Sequence, residues 1–344
     1  MDRSRDSSAS RSSLESWSWC SRSEARRPKS STRASTERKL IASKGTKTKL
    51  LVGTCSWTDP TLVESGWYPE RIKDDADKRL RYYAEHFPIV ENDAAFYALP
   101  SQKQAQLWAE RTPDEFVMNF KAFATLTTHH TDPKRLPKDI REALPKEAAA
   151  KRRVYPKDFP KDAREELFAR YWVGLEPLRK AGKLGAILLQ YPEWFAISRA
   201  NKDEILHARE LLPDDRLAVE FRNATWMSER NRAETLSFLE EHGLTYVAVD
   251  EPQGFPSSMP PVAAVTNDAL AIVRFHGRNA ENWKKPGLTA AERFDYSYKK
   301  RELEEWLPKI REMAERAKEI HLLMNNCYGD KAVNNAAELA KLLD

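Results

Sequence analysis

RLAVEFR, residues 216 to 222, is an apolar run in which Leu217, Val219 and Phe221 alternate with Glu220 and Arg222. Side chains of a strand point to opposite faces with period 2, so the apolar residues share one face and the charged pair shares the other. Comparable runs recur along the chain: KLLVGTCS (49 to 56), PIVEND (88 to 93), FVMNFK (116 to 121), LGAILLQ (184 to 190), LTYVAVD (244 to 250), LAIVRFH (270 to 276) and IHLLMNN (320 to 326). Seven of the eight end in a polar or charged group, the first ends in Cys55 and Ser56, and a helix-like segment follows nearly every one. Strand followed by helix, eight times over, predicts an α/β protein with a (β/α)8 TIM-type barrel. That is a parallel eight-stranded sheet with outer helices, whose chemistry sits at the carboxyl ends of the strands.

The same parity sorts the polar groups. With Val273 and Phe275 turned to the helices, Arg274 and His276 face the lumen, and the count sends Glu91, Asp93, Asn119, Lys121, Gln190, Asp250 and Asn326 inward as well. A barrel interior is normally filled by branched apolar side chains, so such a ring costs stability unless it is paired or used. Two readings compete. A salt-bridge network would match Glu91, Asp93, Glu220 and Asp250 against Lys121, Arg222 and Arg274. A functional ring would leave a cavity with Arg or Lys donors unpaired. Under the functional reading Arg274→Met costs about 1 to 2 kcal/mol, whereas breaking a buried structural pair costs roughly 3 to 5 kcal/mol.

Residues 1 to 46 read differently, as a basic Ser- and Arg-rich tail without apolar periodicity, and a segment of this kind buries too little surface to order itself. Residues 1 to 45 hold 11 Lys/Arg against 5 Asp/Glu in a chain whose net charge is +5, so the body is close to neutral. That tail fits a transit segment, a misassigned start or a solvated extension; it has no apolar core of a secretory signal. The barrel is expected over residues 47 to 344. Gly numbers 11, and neither GxGxxG nor GxxxxGK[ST] occurs, which argues against a Gly-rich phosphate loop. Apolar stretches stay far below the ~18 residues that span a bilayer, so no membrane contact is expected. Three cysteines make no disulfide framework, and the default setting is cytoplasmic.

Between Lys121 and a helix near Asp162 lies a basic, Pro-containing insertion at about 126 to 162, which should form a lid or substrate loop on the catalytic face. His129 and His130 open it. The segment 251 to 267, with four prolines, predicts an extended rim. Cys55 and Cys327 follow the first and last strands and should be neighbours at the mouth without needing to be bonded.

The blocks VGTCSW (52 to 57), GWYPE (66 to 70), YYAEHFPIVENDAAFYALPS (82 to 101), GKLGAILLQYPEWF (182 to 195), LAVEFRNATW (217 to 226), VDEPQGFPSS (249 to 258), VRFHGRNAENW (273 to 283) and MNNCYGDKAVNNAAEL (324 to 339) resemble the signature blocks of the YecE-like family, domain of unknown function 72. This resemblance runs in order from about residue 50 to the last residue and also implies a (β/α)8 barrel, with no settled activity. It marks Glu91, Lys121, Gln190, Glu220, Arg222, Asp250, Arg274, His276 and Asn326 as the polar positions, with Trp57, Tyr68, Tyr97 and Trp226 as aromatic companions. Where the family shows Asn, Ser and Thr after its second strand, this chain has Asp93, Ala94 and Ala95.

Three functional readings follow. In the first, Arg222, Arg274, Lys121 and Arg278 neutralise an anionic, phosphate-containing small molecule. Catalysis by acid and base then falls to Glu220, His276, Asp250 and Glu91, with Gln190, Asn326 and the four aromatics lining the substrate. In the second, Glu91, Glu220, Asp250 and His276 hold a divalent metal, as in hydrolases and nucleases of the endonuclease IV and xylose isomerase type; no HxH or HExxH spacing supports it. The third is a non-catalytic barrel that binds a ligand or nucleic acid, which a near-neutral body disfavours for nucleic acid. No cofactor is expected, and the sequence leaves the oligomeric state open.

Overall fold

The computed structural model describes residues 39–43 and 46–344, with side chains from residue 48 onward. The eight runs form strands β2 (Thr46–Thr54), β3 (Ile89–Asn92), β4 (Val117–Lys121), β5 (Leu184–Gln190), β6 (Leu217–Glu220), β7 (Thr245–Asp250), β8 (Ala271–Phe275) and β9 (Glu319–Met324). Each pairs in parallel with the next, and β2 closes on β9 with Lys49 opposite Glu319 and Thr54 opposite Met324. This is the closed eight-stranded parallel barrel expected from the runs. Ahead of the barrel, strand β1 (Lys39–Ser43) pairs antiparallel with the start of β2; residues 1 to 38, which hold most of the expected tail, lie outside the described residues.

Parity explains the burial. Leu217, Val219, Phe221, Val273 and Phe275 are at most 1 % exposed, packed against helices such as Ala76–His86, Arg199–Leu211, Leu307–Ala314 and Lys331–Leu342. Gly53 lets β3 approach: a Cβ there would lie 2.0 Å from the Ile89 carbonyl oxygen. At the amino-terminal end the lumen is plugged by polar groups. Asn119 Nδ2 lies 3.1 Å from His321 Nδ1, and Glu319 accepts from Lys49 and Arg216 and lies 2.9 Å from His321 Nε2.

The insertion is not an open loop. It folds into short turns and the helices Lys138–Ala143 and Lys146–Ala149, each preceded by a proline, and closes with a bridge between Thr131 and Val154. Proline sets the backbone for a helix start at no cost in hydrogen bonds. Leu136, Ile140, Leu144, Ala148, Val154 and Phe159 join the main core. Its length and its place after a barrel strand suggest a lid or substrate loop, and its apolar residues anchor it to the barrel.

Candidate functional site

Glu220, at the end of β6, is the hub of the mouth. Its Oε2 accepts from Arg274 Nη1 at 2.5 Å, while Oε1 accepts from Gln190 Nε2 at 2.8 Å, is ion-paired with Arg222 Nε at 2.7 Å and lies 3.1 Å from His276 Nε2. Arg274 reaches across the lumen, its Nη2 donating to Glu91 at 2.5 Å and lying 3.6 Å from Asp93 Oδ1 and 3.5 Å from Cys55 Sγ. Glu91, Glu220, Arg274 and His276 are all 1 % exposed or less. Burial pushes Glu220 upward, but Arg274, Arg222 and His276 together hold it well below the carboxylate range, so it stays ionised. Burial pushes Glu91 up to about 7, with Arg274 pulling against it and Asp93 adding to the rise. His276 is pushed down to about 3 by burial and then by Arg222, and is neutral. Its Nε2 lies 3.1 Å from Glu220 Oε1 and 2.9 Å from Arg222 Nη2, and its Nδ1 lies 2.8 Å from Asn325 Nδ2.

Above this layer lie groups that solvent reaches. Lys121 ends β4 partly exposed, its Nζ 4.4 Å from the centre of the Phe96 ring, and burial lowers its pKa. No carboxylate among the described residues forms a close ion pair with it, although Asp93 and Glu220 act on it through space and oppose the effect of burial. Arg222 bridges Glu220 to Glu251 at 2.7 Å each and lies 5.7 Å from the Trp283 ring. Asp93, with its side chain 30 % exposed, opens toward solvent beside Arg274.

The structure therefore brings together Glu91, Lys121, Gln190, Glu220, Arg222, Arg274 and His276, and separates the rest. Asp250 turns outward instead of inward, accepting from Trp306 Nε1 (2.6 Å), the Tyr298 hydroxyl (2.7 Å) and Arg278 (2.7 Å). Arg278 also pairs with Glu305, so it belongs to this outer cluster. Asn326 turns outward too, donating to the Tyr296 carbonyl and Asn335 Oδ1. The inward positions are their neighbours, Glu251 and Asn325, which the parity count missed. His321 is inward on β9, and counting in twos from it reaches Asn325; on β7 no charged residue inside the strand marks the register. Trp226 is buried against Phe221 at 4.3 Å, Tyr68 donates to the Trp57 carbonyl from the core, and Trp57 packs edge-on against Trp108. These three are packing residues rather than a substrate lining. Tyr97 does lie open, 51 % exposed with Arg135 over its ring.

Arg222 and Arg274 are not open anion donors. Arg274 is a buried clamp between two carboxylates, which replaces the small stability cost expected of its removal with the larger one. Cys55 and Cys327 are both unbonded thiols; Cys55 Sγ meets Arg274, and Cys327 Sγ donates to Asn325 Oδ1 at 3.9 Å.

A model of the family described as protein of unknown function DUF72 matches residues 51–344. The chain belongs to this family. The UPF0759 protein YunF of Bacillus subtilis is 32 % identical over 298 residues, covering 86 % of this chain and 95 % of that protein. The UPF0759 protein YecE of Escherichia coli is 32 % identical over 78 residues, 23 % of this chain and 25 % of its own length. Among solved structures, a DUF72 family protein of Thermotoga maritima is 31 % identical with a TM-score of 0.65, covering 86 % of this chain and 98 % of that one. One from Enterococcus faecalis is 25 % identical with a TM-score of 0.68, covering 86 % and 95 %. In this DUF72 chain the Asp-Ala-Ala departure is accommodated locally: Asn92 Oδ1 caps the turn by accepting from Ala95 N, and Asp93 is left free to face the mouth. Among its described residues, no helix is long and apolar enough to cross a membrane.

Proposed function

We propose that the protein is an acid/base enzyme acting on a substrate whose anionic, phosphate-type group is held by Lys121. One observation carries this reading: in a mouth where Arg222 and Arg274 are matched to carboxylates, Lys121 is partly exposed and pairs with none among the described residues. A partly desolvated cation attracts an anion more strongly than one in bulk water, because the local dielectric is lower. Bound anion would in turn hold the proton on the amine, opposing the effect of burial. Glu91, its carboxyl pushed up to about 7, changes protonation near neutral pH and is suited to general acid or base duty. Asp93 lies beside the same guanidinium and links Glu91 to the opening. Ionised Glu220 and neutral His276 supply fixed electrostatics rather than protons.

Arg274 occupies the place between Glu91 and Glu220 that a metal would need, and among the described residues no three His, Cys, Asp or Glu side chains are grouped to hold one. This favours the anion-handling reading over the metal-dependent one. The free thiols of Cys55 and Cys327 support a cytosolic setting. Inorganic phosphate should raise the melting temperature of the wild-type protein and leave Lys121→Met unmoved. Turnover of a responsive phosphate ester should show an inflection near pH 7 that Glu91→Gln removes. If phosphate and a panel of phosphate esters leave the wild-type melting temperature unchanged, the reading is abandoned.

A further inference from the structure

A cleft of about 570 Å³ opens between the insertion and the segment after β5, on the same carboxyl-end face as the mouth. Thr128, Tyr155, Lys157 and Trp194 line it, together with the ion pair of Arg164 and Glu204. Its volume lies in the range of small-molecule sites.

Three features distinguish it from an incidental surface hollow. Trp194 is 60 % exposed, the most exposed of the large apolar side chains that stand open, and its recorded ring contact is with His129 at 66° between planes, 5.9 Å away. No ring among the described residues stacks parallel to it. Thr128 holds φ at +65°, a left-handed conformation that a β-branched residue adopts only under constraint, and its buried Oγ1 has no partner. Such strain gathers at ligand clamps. Finally, a chain of ring contacts runs from Trp194 on the cleft wall through His129 and Phe96 to Lys121. His129 lies 5.0 Å from Phe96, and Lys121 Nζ sits 4.4 Å from that same ring. His129 is pushed down to about 3 by burial and then by Lys121, so the bridge between the two places is uncharged.

We propose that this cleft holds the non-reacting part of the substrate, and that this part is a planar aromatic or heteroaromatic ring stacked on Trp194. A substrate bound in this way is a ring-bearing phosphate ester, with its phosphate at Lys121 and its ring on the exposed indole. Flat rings pair with aromatic faces in offset or edge geometry, and the indole of Trp194 leaves such a face open. The inference rests on the reading of Lys121 as the anion site.

Isothermal titration of the full chain with glycerol 3-phosphate, phenyl phosphate and adenosine 5′-monophosphate tests it, using wild type, Trp194→Ala and Lys121→Met. The two ring-bearing probes should bind wild type at least about tenfold more tightly than glycerol 3-phosphate, as expected for one good stacking contact. Trp194→Ala should erase that difference while leaving glycerol 3-phosphate binding unchanged, and Lys121→Met should weaken all three. Trp194 is exposed, so the variant should fold, and its melting temperature checks that it does. Equal affinity for all three probes, with Lys121→Met still weakening them, overturns the ring subsite and leaves the anion reading standing. A ring preference that survives Trp194→Ala overturns the placement. If none of the probes binds wild type, the anion reading falls and the subsite falls with it.

Discussion

Arg274→Met is the most direct probe of how the mouth is held together. Methionine fills much of the same space but removes the guanidinium that donates to Glu91 and Glu220 at 2.5 Å each. The two carboxylates are not left in equal positions. Glu220 keeps Arg222 at 2.7 Å and His276 at 3.1 Å, whereas the ion pair of Glu91 is lost. One uncompensated carboxylate in a site 1 % exposed corresponds to a loss of about 3 to 5 kcal/mol. In a barrel of this size that is on the order of 5 to 8 °C in Tm. The loss should depend on pH in a definite direction. Without Arg274 the folded-state pKa of Glu91 rises further above its unfolded value, so stability falls as pH rises through that window. Urea denaturation followed by tryptophan fluorescence should show the variant closest to wild type at pH 5 and furthest from it at pH 8. Glu91→Gln added to Arg274→Met should recover part of the loss at pH 8, because the unpaired charge is gone. A loss below about 1 kcal/mol, the scale of an exposed ion pair, would refute the clamp and return Arg274 to the role of an open donor.

Two further outcomes follow from the same geometry. Glu251 is pushed up to about 7 by burial, above its unfolded value, so its carboxyl weakens the fold as pH rises from the unfolded range through 7. Glu251→Gln should therefore gain on wild type between pH 5 and 8 in urea titrations, and a constant difference would remove Glu251 from the linkage. Asp250→Asn breaks the charge pairing with Arg278 in the outer cluster and should lower stability by about 1 to 3 kcal/mol. Its phosphate-induced shift in melting temperature should match that of wild type; a lost shift would place Asp250 back in the site.

Much of the barrel was legible because a strand writes its two faces into the chain. In RLAVEFR and LAIVRFH the charged residues fall inside the run, so Glu220, Arg222, Arg274 and His276 could be assigned to the lumen directly, and the structure brings all four into contact. The count failed where the polar residue stood only at the end. In LTYVAVD no charged residue inside the run marks a face, and the inward position is Glu251 rather than Asp250; in IHLLMNN the marker is His321, and it points to Asn325. In the insertion, length and position point to a lid or substrate loop, but only the fold shows that its apolar residues anchor it to the core.

The sequence by itself determined the barrel, its closure and most of the side chains that line the mouth, because hydrophobic periodicity is a local property of the chain. Which of those side chains are spent on one another was decided by tertiary structure alone. Arg274 meets Glu220 across 54 residues and Glu91 across 183, and those contacts exist only once the sheet has closed. The same is true of Lys121. Its charge is visible in the chain, but its lack of a close ion pair among the described residues depends on where the barrel's carboxylates have come to rest, and pairing energies act over a few ångströms of space rather than along the sequence.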